Sequence, residues 1–156
     1  MSSPYSDRQS SHRKTEMENK AILDVHVLFD QPGRKFETEI GEVNMIPFYG
    51  TVKGQIFNGI VEPWGVDTQI KNQIGVRHMS ARYMLSGKDE AGQDCHIYIE
   101  NNGWLDDSKA PGPFRTVPTF LTDSKVLAPY LHRNQFIGIG SMEEDGLHIR
   151  FFEIEH

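Results

Sequence analysis

A single cysteine, Cys95, stands among 156 residues, which excludes an internal disulfide and fits a reducing compartment. No basic run is longer than Arg13-Lys14, and the formal net charge is −6. Binding a phosphate backbone needs clustered lysine and arginine, so nucleic acid is not an expected partner. No apolar window approaches the roughly 20 residues of a membrane span, so no membrane partner is expected either. The first twenty residues, MSSPYSDRQSSHRKTEMENK, are polar throughout and lack an apolar signal core. Together these absences point to a cytoplasmic protein. There is no GxGxxG, no Walker phosphate loop and no GxSxG elbow, and no cofactor is expected. Seven histidines are present, but no HxH pair and no HExxH. The spacing therefore predicts no metal site, although ligands from separate strands can still converge.

What is present is an ordinary globular composition, 37% hydrophobic and 24% charged, at the length of one domain. Residues 1–18 are serine-rich and charged, with almost no aliphatic side chain. Such a segment cannot bury enough apolar area to offset its chain entropy, so a disordered or loosely docked arm is expected there. The domain proper is expected over residues 19–156.

After the arm, strand patterns dominate. AILDVHVLF (21–29) reads as a strand, and DQPGRK as a turn. FETEIGEV (36–43) alternates apolar and acidic residues as a half-buried strand does. IPFYGTVKGQIFNGIVE (46–62) reads as one long strand, or as two joined at the turn dipeptide Asn58-Gly59. Gly50 and Gly54 lie on one parity of it, where glycine permits close approach or strong bending. VDTQI (66–70), VRHMSARYMLSG (76–87) and CHIYIENNG (95–103) follow, then a loop at 104–115 with two prolines and a glycine. TVPTFLTD is a short extended piece. SKVLAPYLHR (124–133) offers one short helical turn broken at Pro129, and 134–142 and 146–155 form a closing hairpin across EEDG. Nine or ten strands with no confident helix predict an all-β, single-domain antiparallel barrel or sandwich. Closure removes exposed sheet edges, which favours the barrel.

The segments FYGTVKGQIFNGIVEPWGVDTQ, SARYMLSGKDEAGQDCHIYIENNG and PTFLTDSKVLAPYLHRNQFIGIG resemble, in that order, the domain of unknown function 3237 family, also called the UPF0311 family. The resemblance runs from about residue 21 to 155. It implies a lipocalin-like single antiparallel barrel of about eight to ten strands with a pocket, and no established reaction. It also marks Asp67, on the family's GxD position, as a pocket-prone acid. The sequence departs from the family pattern at Trp64, where a glycine is common, and at Ser80, where an aspartate often precedes ARY.

Strand parity sorts the remaining candidates. On 76–85 one face reads Val76, His78, Ser80, Arg82, Met84, and the other Arg77, Met79, Ala81, Tyr83, Leu85. The second is more apolar and is the expected inner face. On 95–101, Cys95, Ile97, Ile99 and Asn101 are the expected inner set, against His96, Tyr98 and Glu100. A wet pocket would reverse either choice, and periodicity leaves both open. A carboxylate against apolar walls has a raised pKa suited to proton transfer near neutral pH, which makes Asp67 or Glu100 the candidate base. Tyr83 and Arg82 are the candidate stabilisers of a developing oxyanion. Tyr49, Trp64, His78, Asn101, Trp104 and Phe120 are candidate substrate-binding walls, and the 104–115 loop is a candidate lid. The expected function is a cofactor-independent isomerase, dehydratase or related lyase acting on a small, partly apolar carbonyl or aromatic metabolite. The alternative is a non-catalytic carrier of a small hydrophobic ligand. The aromatic pair Phe151-Phe152 makes a homodimer possible.

Overall fold

The structure, a computed structural model, describes residues 20–155; the expected N-terminal arm lies outside them. Nine strands are present among the described residues. They are β1 (Leu23–Leu28), β2 (Arg34–Thr38), β3 (Gly41–Lys53), β4 (Phe57–Asn72), β5 (Val76–Asp89), β6 (Asp94–Asp106), β7 (Phe114–Thr122), β8 (Phe136–Glu143) and β9 (Gly146–Glu153). All pair antiparallel in the order β1-β9-β8-β7-β6-β5-β4-β3-β2, and β1 also pairs with β3. That last pairing closes eight strands into a barrel. β2 stays outside the closed ring as an exposed ribbon on the first half of β3.

Several local expectations are corrected by this arrangement. The alternating segment 36–43 is not one strand but a hairpin, with its turn between β2 and β3. The break in the long 46–62 stretch falls at residues 54–56, and Asn58-Gly59 lies inside β4. The candidate loop at 104–115 is shorter, because β6 runs on to Asp106 and β7 begins at Phe114. Pro129 does not break the helical turn. It sits in the first turn of α1 (Ala128–Leu131), where the missing amide proton would have had no intrahelical partner anyway. Residues 62–65 form a bulge rather than a turn. Val61 pairs with Leu85 and Val66 with Arg82, so β4 carries two residues more than β5 over this stretch.

Glycine makes the closure possible. At Gly50 a Cβ would collide with the backbone carbonyl of His26, so only glycine lets β1 lie against β3 there. Below the middle of the barrel the inner face is solid core: Leu23, Val25, Phe57, Val61, Leu85, Ile97, Ile99 and Phe151 are all essentially inaccessible. Each such side chain contributes about 1.5–3 kcal/mol on burial. Leu127 and Leu131, from α1 and its preceding turn, join the same core. Ser124 ties this segment to the end of β5 through a 2.7 Å hydrogen bond to Asp89 Oδ2. The opposite end of the barrel is less completely filled. Phe151 is part of the core and Phe152 is half-buried on the outside, so the two do not form an exposed aromatic surface. No helix among the described residues is long and apolar enough to cross a membrane.

Phe48 and Tyr83 meet edge to face at 5.1 Å over Gly65. A Cβ at Gly65 would lie 2.6 Å from Tyr83 Cβ and 2.7 Å from Phe48 Cζ. Gly65→Ala is therefore expected to cost about 1–3 kcal/mol by overpacking, whereas Gly112→Ala, with nothing within 4 Å, stays within about 0.5 kcal/mol of the parent. Urea denaturation of the two variants checks this; equal midpoints would contradict it.

Candidate functional site

Between the solid core and the open end, the barrel encloses a cavity of about 270 Å³. Its walls are mostly apolar, among them Val27, Phe48, Met79, Leu105, Phe114 and Ile149, and its polar lining comes from Asp67, Gln69, Arg77, Tyr83, Asn101 and Thr116. An engineered cavity of about 150 Å³ holds benzene, so this volume suits a monocyclic or small bicyclic molecule. A wider groove of about 670 Å³ adjoins it, sharing Leu105, Phe114, Met142 and Leu147 and bordered by residues 106–113. The loop after β6 therefore stands at the mouth, as a lid would.

Three strands assemble the centre of the site by register alone. Asp67 on β4 pairs with Ala81 on β5, which pairs with Asn101 on β6. The small Ala81 leaves space between an acid and an amide on the same face. Tyr83, two residues along β5, is the diagonal neighbour of Asp67. Asp67 Oδ2 accepts a 2.7 Å hydrogen bond from Gln69 Nε2. Its other oxygen, Oδ1, is buried and has no partner, and the same holds for Asn101 Oδ1 and Thr116 Oγ1. Burial raises the Asp67 pKa; the Gln69 hydrogen bond and the charges of Arg77 and His78 oppose it without cancelling it. Burial also pushes the Tyr83 hydroxyl far up, with the Asp67 charge adding to the effect. Tyr83 is thus a neutral hydrogen-bond donor across the physiological range.

Gln69 connects this pair to a cation that the sequence reading did not single out. Arg77 Nη1 donates to Gln69 Oε1 at 3.0 Å, so the amide must present its NH₂ group to Asp67. Arg77 is itself held at the mouth by Asp107, with Nη2 to Oδ2 at 2.8 Å, and Lys71 lies 3.2 Å from the same carboxylate. Arg77 shares the parity of Tyr83, and that was the signal available for finding it.

Of the expected catalytic group, the structure brings together Asp67 and Tyr83 but not Arg82 or Glu100. These two lie opposite each other across β5 and β6 on the outer face, 3.3 Å apart, with the Arg82 side chain 64% exposed. They flank inward-facing residues, and strand alternation turns them out. Among the expected walls, only Asn101 lines the cavity. His78 and Trp104 are cross-strand neighbours on the outer face, with rings stacked at 4.5 Å. Trp64 lies in the β4 bulge on the outward parity, is exposed, and donates from Nε1 to Asp30 Oδ1 at 3.1 Å. Tyr49, opposite Leu28 on β1, is half-buried away from the cavity. Phe120 is one layer too deep: it sits in line with Tyr83 and Ile99 and packs edge to face on Phe136 and Phe151. Cys95 is buried, and burial pushes its thiol up, the setting of a structural rather than a reactive cysteine.

The barrel and its glycine-bent strands match a known family model over residues 18–154, that of a protein of unknown function, DUF3237. The chain belongs to the DUF3237 family. A UPF0311 protein of Clostridium acetobutylicum is 31% identical over 155 residues, covering 89% of this chain and 95% of that protein. The crystal structure of a protein with unknown function from C. acetobutylicum is similar, with a TM-score of 0.71 and 29% identity over 86% of this chain and 95% of that one. A β-barrel-like protein from Acinetobacter baumannii shares the fold, with a TM-score of 0.67 and 20% identity over 87% and 94% of the two chains.

The buried acid has a stability signature. The Asp67 pKa in the fold lies above its ordinary value of 3.8, so ionising it costs the folded state. Below both values the acid is neutral in both states and the cost is absent. As the pH rises past the unfolded value and through the folded one, stability is lost and then levels off. Asp67→Asn should therefore melt above the parent at pH about 7, and the gap should close by pH about 3. Thermal melts across pH check this, and a variant less stable by the same margin at both ends would contradict it.

Proposed function

We propose that this barrel is an enzyme that works by proton transfer, without a cofactor, on a small, partly apolar carbonyl or aromatic compound held in the cavity. Isomerisation, dehydration and related lyase steps fall within this chemistry. One observation carries the reading: Asp67 Oδ1 has no protein partner although it is buried against apolar walls. An unpaired buried acceptor costs about 1–3 kcal/mol, a cost that makes sense where a substrate hydrogen is to be placed on that oxygen. Asp67 then acts as the base, its pKa raised toward the working range by burial. Tyr83, neutral and close by on the next strand, donates to the oxygen on which charge develops. Gln69 holds the Asp67 carboxylate in place, and Arg77 fixes the orientation of Gln69. The role that Arg82 was expected to share falls to Tyr83 alone.

The mostly apolar walls favour a second reading, in which the cavity carries a small hydrophobic molecule and does no chemistry. Hydrogen–deuterium exchange separates the two. A panel of monocyclic and aryl ketones is incubated with the protein in D₂O and followed by proton NMR. The wild type is expected to exchange the α-hydrogens of at least one member faster than buffer does. Asp67→Asn should slow that exchange by about 10²–10⁴-fold, and Tyr83→Phe, which keeps the ring on Phe48, by about 10²–10³-fold. Saturation-transfer binding of panel members without exchange of any would replace the enzyme with the carrier.

A further inference from the structure

The seam where the barrel closes carries polar side chains that the cavity does not use. In the β1–β9 register His26 lies opposite His148, and Asp24 opposite Arg150. All four are on the outer face, alternating with the cavity-lining Val27, Leu147 and Ile149. The two imidazoles stack at 4.6 Å, with planes 9° apart. Both direct Nε2 at Asp145, in the turn before β9. His148 Nε2 is 2.8 Å from Asp145 Oδ1. His26 Nε2 is 2.7 Å from the Asp145 backbone oxygen and 3.9 Å from its Oδ2.

We propose that His26, His148 and Asp145 form a binding site for one divalent transition-metal ion of the zinc class, with the two Nε2 atoms and the Asp145 carboxylate as ligands. One ligand atom from each of the three residues lies within 4.8 Å of the others. Two imidazoles and a carboxylate are a donor set that Zn²⁺ takes, with water completing the tetrahedron. The support behind the ligands is also in place. His148 Nδ1 is 2.8 Å from Asp24 Oδ1, the carboxylate–histidine arrangement that aims the other ring nitrogen at a metal. Asp24 Oδ2 accepts from Arg150 Nε at 3.2 Å, and the Arg150 guanidinium is paired in turn with Glu143.

Charge and backbone conformation agree with this assignment. Asp24 and Asp145 each turn a carboxylate oxygen to His148, and Asp24, His148 and Arg150 are each no more than 7% exposed, so a divalent cation at the Nε2 atoms meets a sheltered site with negative charge beside it. On binding, the imidazole protons that face Asp145 leave to solvent. Gly146, at φ +119°, takes the backbone conformation that favours glycine and lets the turn bring Asp145 onto His26. The ion fastens the β8–β9 turn to β1 directly behind the cavity wall.

The test uses the full chain, stripped with a chelator and then titrated. ZnCl₂ followed by calorimetry should show one equivalent bound, and CoCl₂ should produce visible d–d absorption. His26→Ala and Asp145→Asn should each weaken zinc binding at least tenfold. Asp24→Asn, which touches no metal, should weaken it about 10–100-fold through the orientation of His148. His96→Ala, at an exposed histidine paired with Asp123, should leave it unchanged. Circular dichroism verifies that the variants fold, which the partly exposed His26 and the exposed Asp145 make the expected result. The proposal is overturned if the stripped wild type takes up no zinc, or if zinc binding survives in both His26→Ala and Asp145→Asn.

Discussion

Everything in this molecule depends on β1 pairing on both sides, with β9 along one edge and β3 along the other. Six residues of backbone turn an open sheet into a closed ring and leave the short β2 outside it as an exposed edge. Once the ring is closed, each strand has an inside and an outside, and alternation alone decides which side chains meet. The glycine at position 50 belongs to the same constraint, since a side chain there would hold the two strands apart.

Within the ring, the two ends divide the work. Branched and aromatic side chains, essentially inaccessible to solvent, fill one half. In the other half a small residue, Ala81, stands between Asp67 and Asn101, and the barrel is left hollow there. The polar groups around the hollow are ordered by one chain of contacts from the mouth inward: Asp107 holds Arg77, Arg77 orients Gln69, and Gln69 holds one oxygen of Asp67. The charge of Arg77 reaches the acid through an amide. This restrains the carboxylate and leaves its second oxygen facing the cavity.

The fold was largely legible, because alternating hydrophobicity, turn residues and paired glycines are local features that survive in a one-dimensional string. Tyr83 and Asn101 were legible too, because apolar neighbours of the same parity mark their inward face; Asp67, between Gly65 and Gln69 on its own parity, carried no such signal and was marked only by the family's GxD position. Arg82 and Glu100 drew attention by their charge, but each sits between inward residues, and a cross-strand ion pair accounts for both. Trp64 was misplaced because a bulge cannot be told from a turn when Pro and Gly flank the residue. Phe120 was misplaced because parity gives the side of a strand and not the depth along the barrel. His26 and His148 are at opposite ends of the sequence, and no spacing rule links them; only the register of β1 on β9 does.

The bulge at residues 62–65 sets the phase of everything after it. β4 gains two residues there relative to both neighbours, an even number, so the inward set Phe57 and Val61 continues as Gly65, Asp67 and Gln69. An odd excess would have turned the strand over, putting Val66, Thr68 and Ile70 inside and leaving the acid in water. The cavity thus owes its chemistry to a count made several residues away from it. In related barrels, an insertion or deletion of one residue at this point would take the β4 acid and amide out of the cavity, whereas one of two residues would keep them there.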